Sequence, residues 1–202
     1  MGARSTRHVP CWFSVMELRQ AIGLRHAVRS YTRESVREED VRRLLEAAVR
    51  APNAKNEQPW SFVIVQNRDL LQRYSDLTKA QLCASPRNAA FPAVRALLNS
   101  QSFDVFYGAG TLIVICGKAD NEYAEADCWL AAENLMLTAC DLGFGTCPVG
   151  SAISCLNSET VRRELDIPRD VDAIAPIVVG YPEESSSLPT PRAAPRILSF
   201  RH

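Results

Sequence analysis

Apolar residues along the chain recur first at helical and then at strand spacing. Val15, Leu18 and Ile22 share one helical face, and Ser14 with Glu17 resembles a capping box, so a first helix is predicted to end near Gly23 to His26. Ser35 with Glu38 forms a second such box. Behind it Val41, Leu44, Leu45, Ala48 and Val49 follow the i, i+3, i+4, i+7, i+8 pattern of an amphipathic helix. Residues 61–66 read as a short strand, and Asp69 is a candidate cap for a helix to about Cys83 with Leu70, Tyr74 and Leu77 inward. Residues 84–104 keep no steady period, broken by Pro86, Asn88, Pro92 and Asn99, and a long irregular stretch in a compact domain suggests a lid.

The second half is more apolar. Residues 111–116 form a β-branched run that reads as a central strand, and 173–179 a second one ended by Gly180-Tyr181-Pro182. Between them the longest helix is predicted over 122–142. Apolar residues cover most of its circumference, so it is buried on nearly all sides, by its own domain and by a second subunit. Gly143-Phe144-Gly145 ends it, Cys147 to Gly150 is tight or extended, and Asn157 or Ser158 starts a short helix before Pro168. A Pro- and Ser-rich tail from Pro182 to Pro195 leads to Ile197-Leu198-Ser199-Phe200, an apolar tip expected to dock on a partner. This order is that of an α+β or three-layer αβα domain, not the alternation of a doubly wound fold. Neither a GxGxxG nor a GxxxxGK[ST] loop occurs.

Ala51 to Trp60 joins the second helix to the first strand with more hydrogen-bonding chemistry than a turn requires. Pro52 and Pro59 fix its ends, while Asn53, Asn56 and Gln58 each donate and accept, a combination suited to the edge of a flat heterocycle. Asn and Pro also close helices and turn chains, so spacing alone leaves both readings open. Arg25 and Arg29, four apart around His26, offer two forked cations to one anion, although arginines after a helix equally serve its C-terminal carbonyls. Arg192 stands alone in the Pro-rich tail, where helix electrostatics do not account for it.

With 202 residues and 47% apolar content the chain is long enough for a real core, read as a single domain over 14–202 behind an extension at 1–13. Lys plus Arg and Asp plus Glu balance at 23 each, which argues against nucleic-acid binding. Seven cysteines without a CxxC pair, and three histidines, give no metal spacing; the odd count reads as reduced thiols in the cytoplasm. No apolar run is long enough to span a bilayer.

Four separated segments, in order, resemble the flavin-dependent nitroreductase family. Arg25-His26-Ala27-Val28-Arg29-Ser30-Tyr31 is similar to its opening Arg-rich segment, and Ala47 to Trp60 to its Ala-Pro-Ser-x-x-Asn-x-Gln-Pro-Trp hallmark. Ala132 to Thr146 is similar to its long central helix and Leu-Gly-x-Gly exit, and Asp172 to Pro182 to its late strand. The resemblance implies a mostly antiparallel central sheet, a tail exchanged with a partner subunit, and a homodimer with two FMN sites at its interface. Arg25, His26, Ala27 and Arg29 would then hold the phosphate and ribityl chain, helped by Arg192. Pro52, Asn53, Ala54 and Asn56 would reach the isoalloxazine from the partner, and Pro148, Val149 and Gly150 would line its other face. Ala27 and Asn53 stand where serine is usual, Thr190 where some members are basic, and Gly110 where proline is usual.

The activity so implied is ping-pong transfer of hydride from NADH or NADPH, through flavin N5, to a nitroaromatic, quinone or similar acceptor. Because the chemistry belongs to the cofactor, no catalytic side chain is named. The alternatives are other flavin chemistry (dehalogenation, dehydrogenation, flavin cleavage) and a non-catalytic flavin-binding protein. Phe91, Phe103, Phe106 and Tyr107 are candidates to stack in the acceptor pocket, with core packing the competing role for each.

Overall fold

A computed structural model describes residues 16–85, 92–183 and 189–201, so Ser14, Val15 and the extension at 1–13 lie outside the described residues. Four strands, β1 (Trp60–Val65), β2 (Thr111–Lys118), β3 (Gly145–Pro148) and β4 (Val171–Gly180), form one sheet in the order β1-β2-β4-β3 with every pairing antiparallel. The two apolar runs became its centre. Ile113 and Ile115 of β2 and Ala175, Ile177 and Val179 of β4 face one layer, whereas Leu112, Val114 and Cys116 with Val178 face the other. A strand buried on both faces needs no polar alternation, which explains why these segments read as continuous hydrophobes.

One layer contains α2 (Glu38–Ala48) and α5 (Ala124–Asp141), packed through Leu44, Ala48, Cys128, Ala131, Ala132 and Leu135. The other contains α3 (Arg68–Ala84), α6 (Ile153–Leu156) and α7 (Glu159–Glu164), whose Leu71, Tyr74, Leu156 and Val161 close the second core. This is the expected three-layer αβα arrangement. Helix α1 (Leu18–Leu24) lies against α5 with only Ala21 buried, and leaves Leu18 65% and Ile22 57% exposed. Leu130 on α5 is 46% exposed. The long helix is thus buried on most sides within one chain but not on all.

Several local expectations are corrected. Helix α1 is capped by Glu17, whose backbone N–H donates to Gln20, and α2 begins after Arg37, while the Ser35 hydroxyl donates to the Gly110 carbonyl. Asn67, not Asp69, caps α3 by accepting from the Leu70 amide at 3.0 Å. Leu71 turns inward in place of Leu77, which is 39% exposed. Within the stretch expected to be irregular lies α4 (Pro92–Asn99), anchored by Leu98, whereas residues 86–91, with Phe91, lie outside the described residues. Phe106 is a core residue at 1% exposure. Gly110 has a steric reason: a Cβ there would lie 2.5 Å from the Glu34 carbonyl oxygen.

Candidate functional site

The segment after α1 runs along the outer edge of β3. Ala27 bridges Thr146 in parallel, and the Val28 amide donates to the Thr146 carbonyl at 3.0 Å. Gly145 permits this approach, because a Cβ there would meet the Val28 side chain at 2.9 Å. Further on, the buried Tyr31 donates its hydroxyl to the Val28 carbonyl at 2.7 Å, which holds the bend between them. Arg25, His26, Ala27 and Arg29 are therefore presented from an extended backbone fixed to the sheet, while Pro148 ends the neighbouring β3 and Val149 and Gly150 follow in the turn after it. The Val149 amide donates to the Pro176 carbonyl at 2.8 Å, so that turn is also fixed, and a Cβ on Gly150 would meet nothing within 4 Å.

The side chains differ in how far they are committed. Arg25 Nε lies 3.3 Å from Glu133 Oε1 on α5. His26 Nδ1 contacts the Leu24 carbonyl at 2.8 Å, while its Nε2 is shut off from solvent with no hydrogen-bond partner among the described residues. With Nδ1–H donating, Nε2 is left as an acceptor that wants a donor such as a hydroxyl. Arg29 lies 5.9 Å from the Tyr107 ring centroid, and its pKa is raised above the ordinary arginine value chiefly by hydrogen bonding with that phenol. Both residues line a cavity of about 860 Å³ together with Tyr31, Arg33, Arg68 and Phe103. Beside it the Cys147 thiol is pushed up by burial.

The proline-braced loop lies elsewhere. It closes on itself: Asn53 Oδ1 accepts the Gln58 amide at 2.8 Å, and Asn53 Nδ2 donates to the Ala51 carbonyl at 3.5 Å. Asparagine in place of serine thus gives a side chain long enough to span the loop, with a second N–H and a second lone pair left over. Asn56 is exposed and remains able to face a ligand. Lys55, Asn56 and Gln58 all have left-handed backbones, with φ of 53°, 55° and 47°. Such conformations cost about 1–2 kcal/mol each in non-glycine residues and cluster where the surrounding structure enforces them for a purpose.

Three contacts hold the loop to the start of α5. Lys55 lies 5.7 Å from the Tyr123 ring centroid, the Asn121 amide donates to Glu57 at 2.9 Å, and the Ala54 amide donates to Asp127. Arg25 meets the same helix at Glu133, six residues further along, or about 9 Å of helix rise. The two groups therefore lie at different levels of α5. Arg192 is exposed in the tail, and no described contact joins it to Arg25. Asp127 and Glu133 are the residues that sequence reading missed. An acidic residue in the first turn of a helix reads as a match to its dipole, and neither partner is near in sequence.

This fold and these segments define a class. The Nitroreductase family profile matches residues 22–181, and the chain belongs to that family. It is 29% identical over 173 residues to "Putative NADH dehydrogenase/NAD(P)H nitroreductase" of Archaeoglobus fulgidus, covering 83% of this chain and 87% of the relative. A 5,6-dimethylbenzimidazole synthase of Rhodospirillum rubrum is 28% identical over 178 residues, 82% of each chain. Among solved structures, a nitroreductase with bound FMN from Bacteroides fragilis superposes with a TM-score of 0.80 at 24% identity, covering 93% of this chain and all of that one.

Proposed function

We propose that the protein is an FMN-dependent NAD(P)H oxidoreductase. The observation that carries this is the segment Arg25 to Arg29, where two arginines stand in sequence on either side of a His26 whose solvent-excluded Nε2 has no hydrogen-bond partner among the described residues. A flavin mononucleotide offers what such a site lacks: a phosphate for Arg25 and Arg29, and ribityl hydroxyls that can donate to Nε2. The residues present fit the group. Ala27 contributes backbone alone, and the open space beside Gly150 suits a flat ring against Pro148 and Val149.

Bound there, FMN would supply hydride chemistry at N5. The chain's own residues bind and orient it. Arg25 and Arg29, with Arg192 reaching over from the tail, neutralise its phosphate. Pro52, Asn53, Ala54 and Asn56 meet the ring from the loop of a second subunit, as the resemblance of the segment Ala47 to Trp60 implies. The loop backbone and Asn56 supply hydrogen-bond donors beside the ring, where fixed dipoles favour added negative charge. NADH or NADPH and then an electron-poor acceptor, a nitroaromatic or quinone, use one open face in turn, which gives ping-pong kinetics. The single domain spans 14–202, and its odd set of reduced thiols suits the cytoplasm.

The name of the Rhodospirillum rubrum relative favours a second reading, in which the same site runs another flavin reaction. Anaerobic mixing of the flavin-loaded protein with NADH or NADPH tests the first. Rapid bleaching of the yellow colour, then recolouring on adding a quinone, is the expected result. Colour unchanged in excess of both nucleotides would contradict it.

A further inference from the structure

Asp127 is 4% exposed, and both of its carboxylate oxygens lie 3.2 Å from the same donor, the backbone N–H of Ala54. Placing a carboxylate among the alanines and Cys128 of this helix is unfavourable unless something requires it. What it meets is the first amide of the 3-10 turn Ala54–Asn56, in the loop with three left-handed residues. The other two ties to α5, at Asn121 and Tyr123, involve exposed side chains and are correspondingly weak. Asn53 closes the loop on itself but does not attach it to the body of the protein.

We infer that Asp127 is the positioning residue of the flavin-facing loop: it clamps the Ala54 amide and so holds residues 53–58 in their strained shape. This rests on the flavin reading above for its consequence, and on geometry alone for the clamp. Asp127 belongs to the loop's own subunit, so it acts on the partner's flavin site through the backbone and touches no cofactor.

The test compares Asp127→Ala, Asp127→Asn and a control, Val161→Ala, which trims a fully buried position on α7 in the core on the other side of the sheet. Trypsin cleavage after Lys55 is followed without added flavin, and FMN affinity by fluorescence quenching. A charge-assisted hydrogen bond is worth about 1.5–3 kcal/mol. Asp127→Ala should therefore raise cleavage and weaken FMN binding by roughly 10- to 100-fold. Asp127→Asn keeps an acceptor oxygen and should restore most of both, while Val161→Ala lowers the melting temperature and moves neither. Changes in Asp127→Ala no larger than in Val161→Ala overturn the clamp. Should Asp127→Ala not fold, amide exchange in the unaltered protein decides: Ala54 N–H protected within an exchanging loop supports it, and Ala54 exchanging as fast as Lys55 overturns it. Wild-type protein that takes up no FMN defeats the flavin reading, and cleavage and exchange still judge the clamp.

Discussion

Arg25 and His26 show how single residues divide between fold and site. The Arg25–Glu133 pair is partly exposed and contributes at most about 1 kcal/mol to stability. Arg25→Ala should thus leave the melting temperature within a few degrees while weakening FMN binding by roughly 10-fold or more; equal flavin occupancy after gel filtration would contradict this. The buried thiols give a pH signature. Burial raises the Cys116 pKa from 9.0 to about 11 and that of Cys128 to about 12. Raised folded-state values mean that stability is intact below pH 9 and is lost above it, as the unfolded thiols ionise first. Each thiol contributes a slope of about 1.4 kcal/mol per pH unit until its own folded value is reached. Urea melts from pH 8 to 11 should show stability falling from near pH 9, and Cys128→Ala should flatten the fall. The cysteines were readable as small buried hydrophobes in advance. The Arg25–Glu133 and Ala54–Asp127 contacts were not, since they join residues 108 and 73 positions apart.

Among the elements, those with a strong period or a clear start signal were legible, the short α7 behind Ser158 included, whereas β3 and α4 were not. Strands β1, β2 and β4 came through as β-branched runs, within two residues at either end. Strand β3 has four residues with a proline at its end, and only pairing with β4 makes it a strand. Helix α4 was missed although Pro92 at its first position is a known start signal, because prolines and asparagines nearby suggested a loop. The Asn53–Gln58 loop was legible as hydrogen-bonding chemistry but not as strain, since lysine and glutamine give no sign of a left-handed backbone. Gln58→Gly should relieve part of that strain and raise stability by about 0.5 kcal/mol after its entropic cost, read from denaturant midpoints. A loss of stability would mean that the Gln58 side chain has a tie of its own.

At the scale of the whole molecule, the proposed homodimer would cover apolar surface left open on one chain. Leu18, Ile22 and Leu24 on α1, Leu130 on α5 and Ile197 and Leu198 in the tail are all 46–84% exposed. A helix pair and a tail tip of this kind suit a homodimer that completes each flavin site with the other chain's loop. Ile22→Asp with Leu130→Asp should cost the isolated fold little, since both side chains are exposed, yet yield colourless monomers. Truncation after Pro182 should weaken dimerisation and flavin binding together. An unchanged sedimentation coefficient and retained yellow colour would contradict either expectation. The architecture of one chain was readable from its apolar pattern, whereas the proposed site shared between chains rests only on the resemblance of four segments, because no periodicity marks a contact between subunits. Sedimentation velocity of the FMN-supplemented protein, recorded in both the protein and the flavin absorption bands, tests the shared site most directly. A site shared by two chains gives one boundary at twice the chain mass carrying one flavin per chain; a boundary at the single-chain mass with the flavin left behind would rule it out.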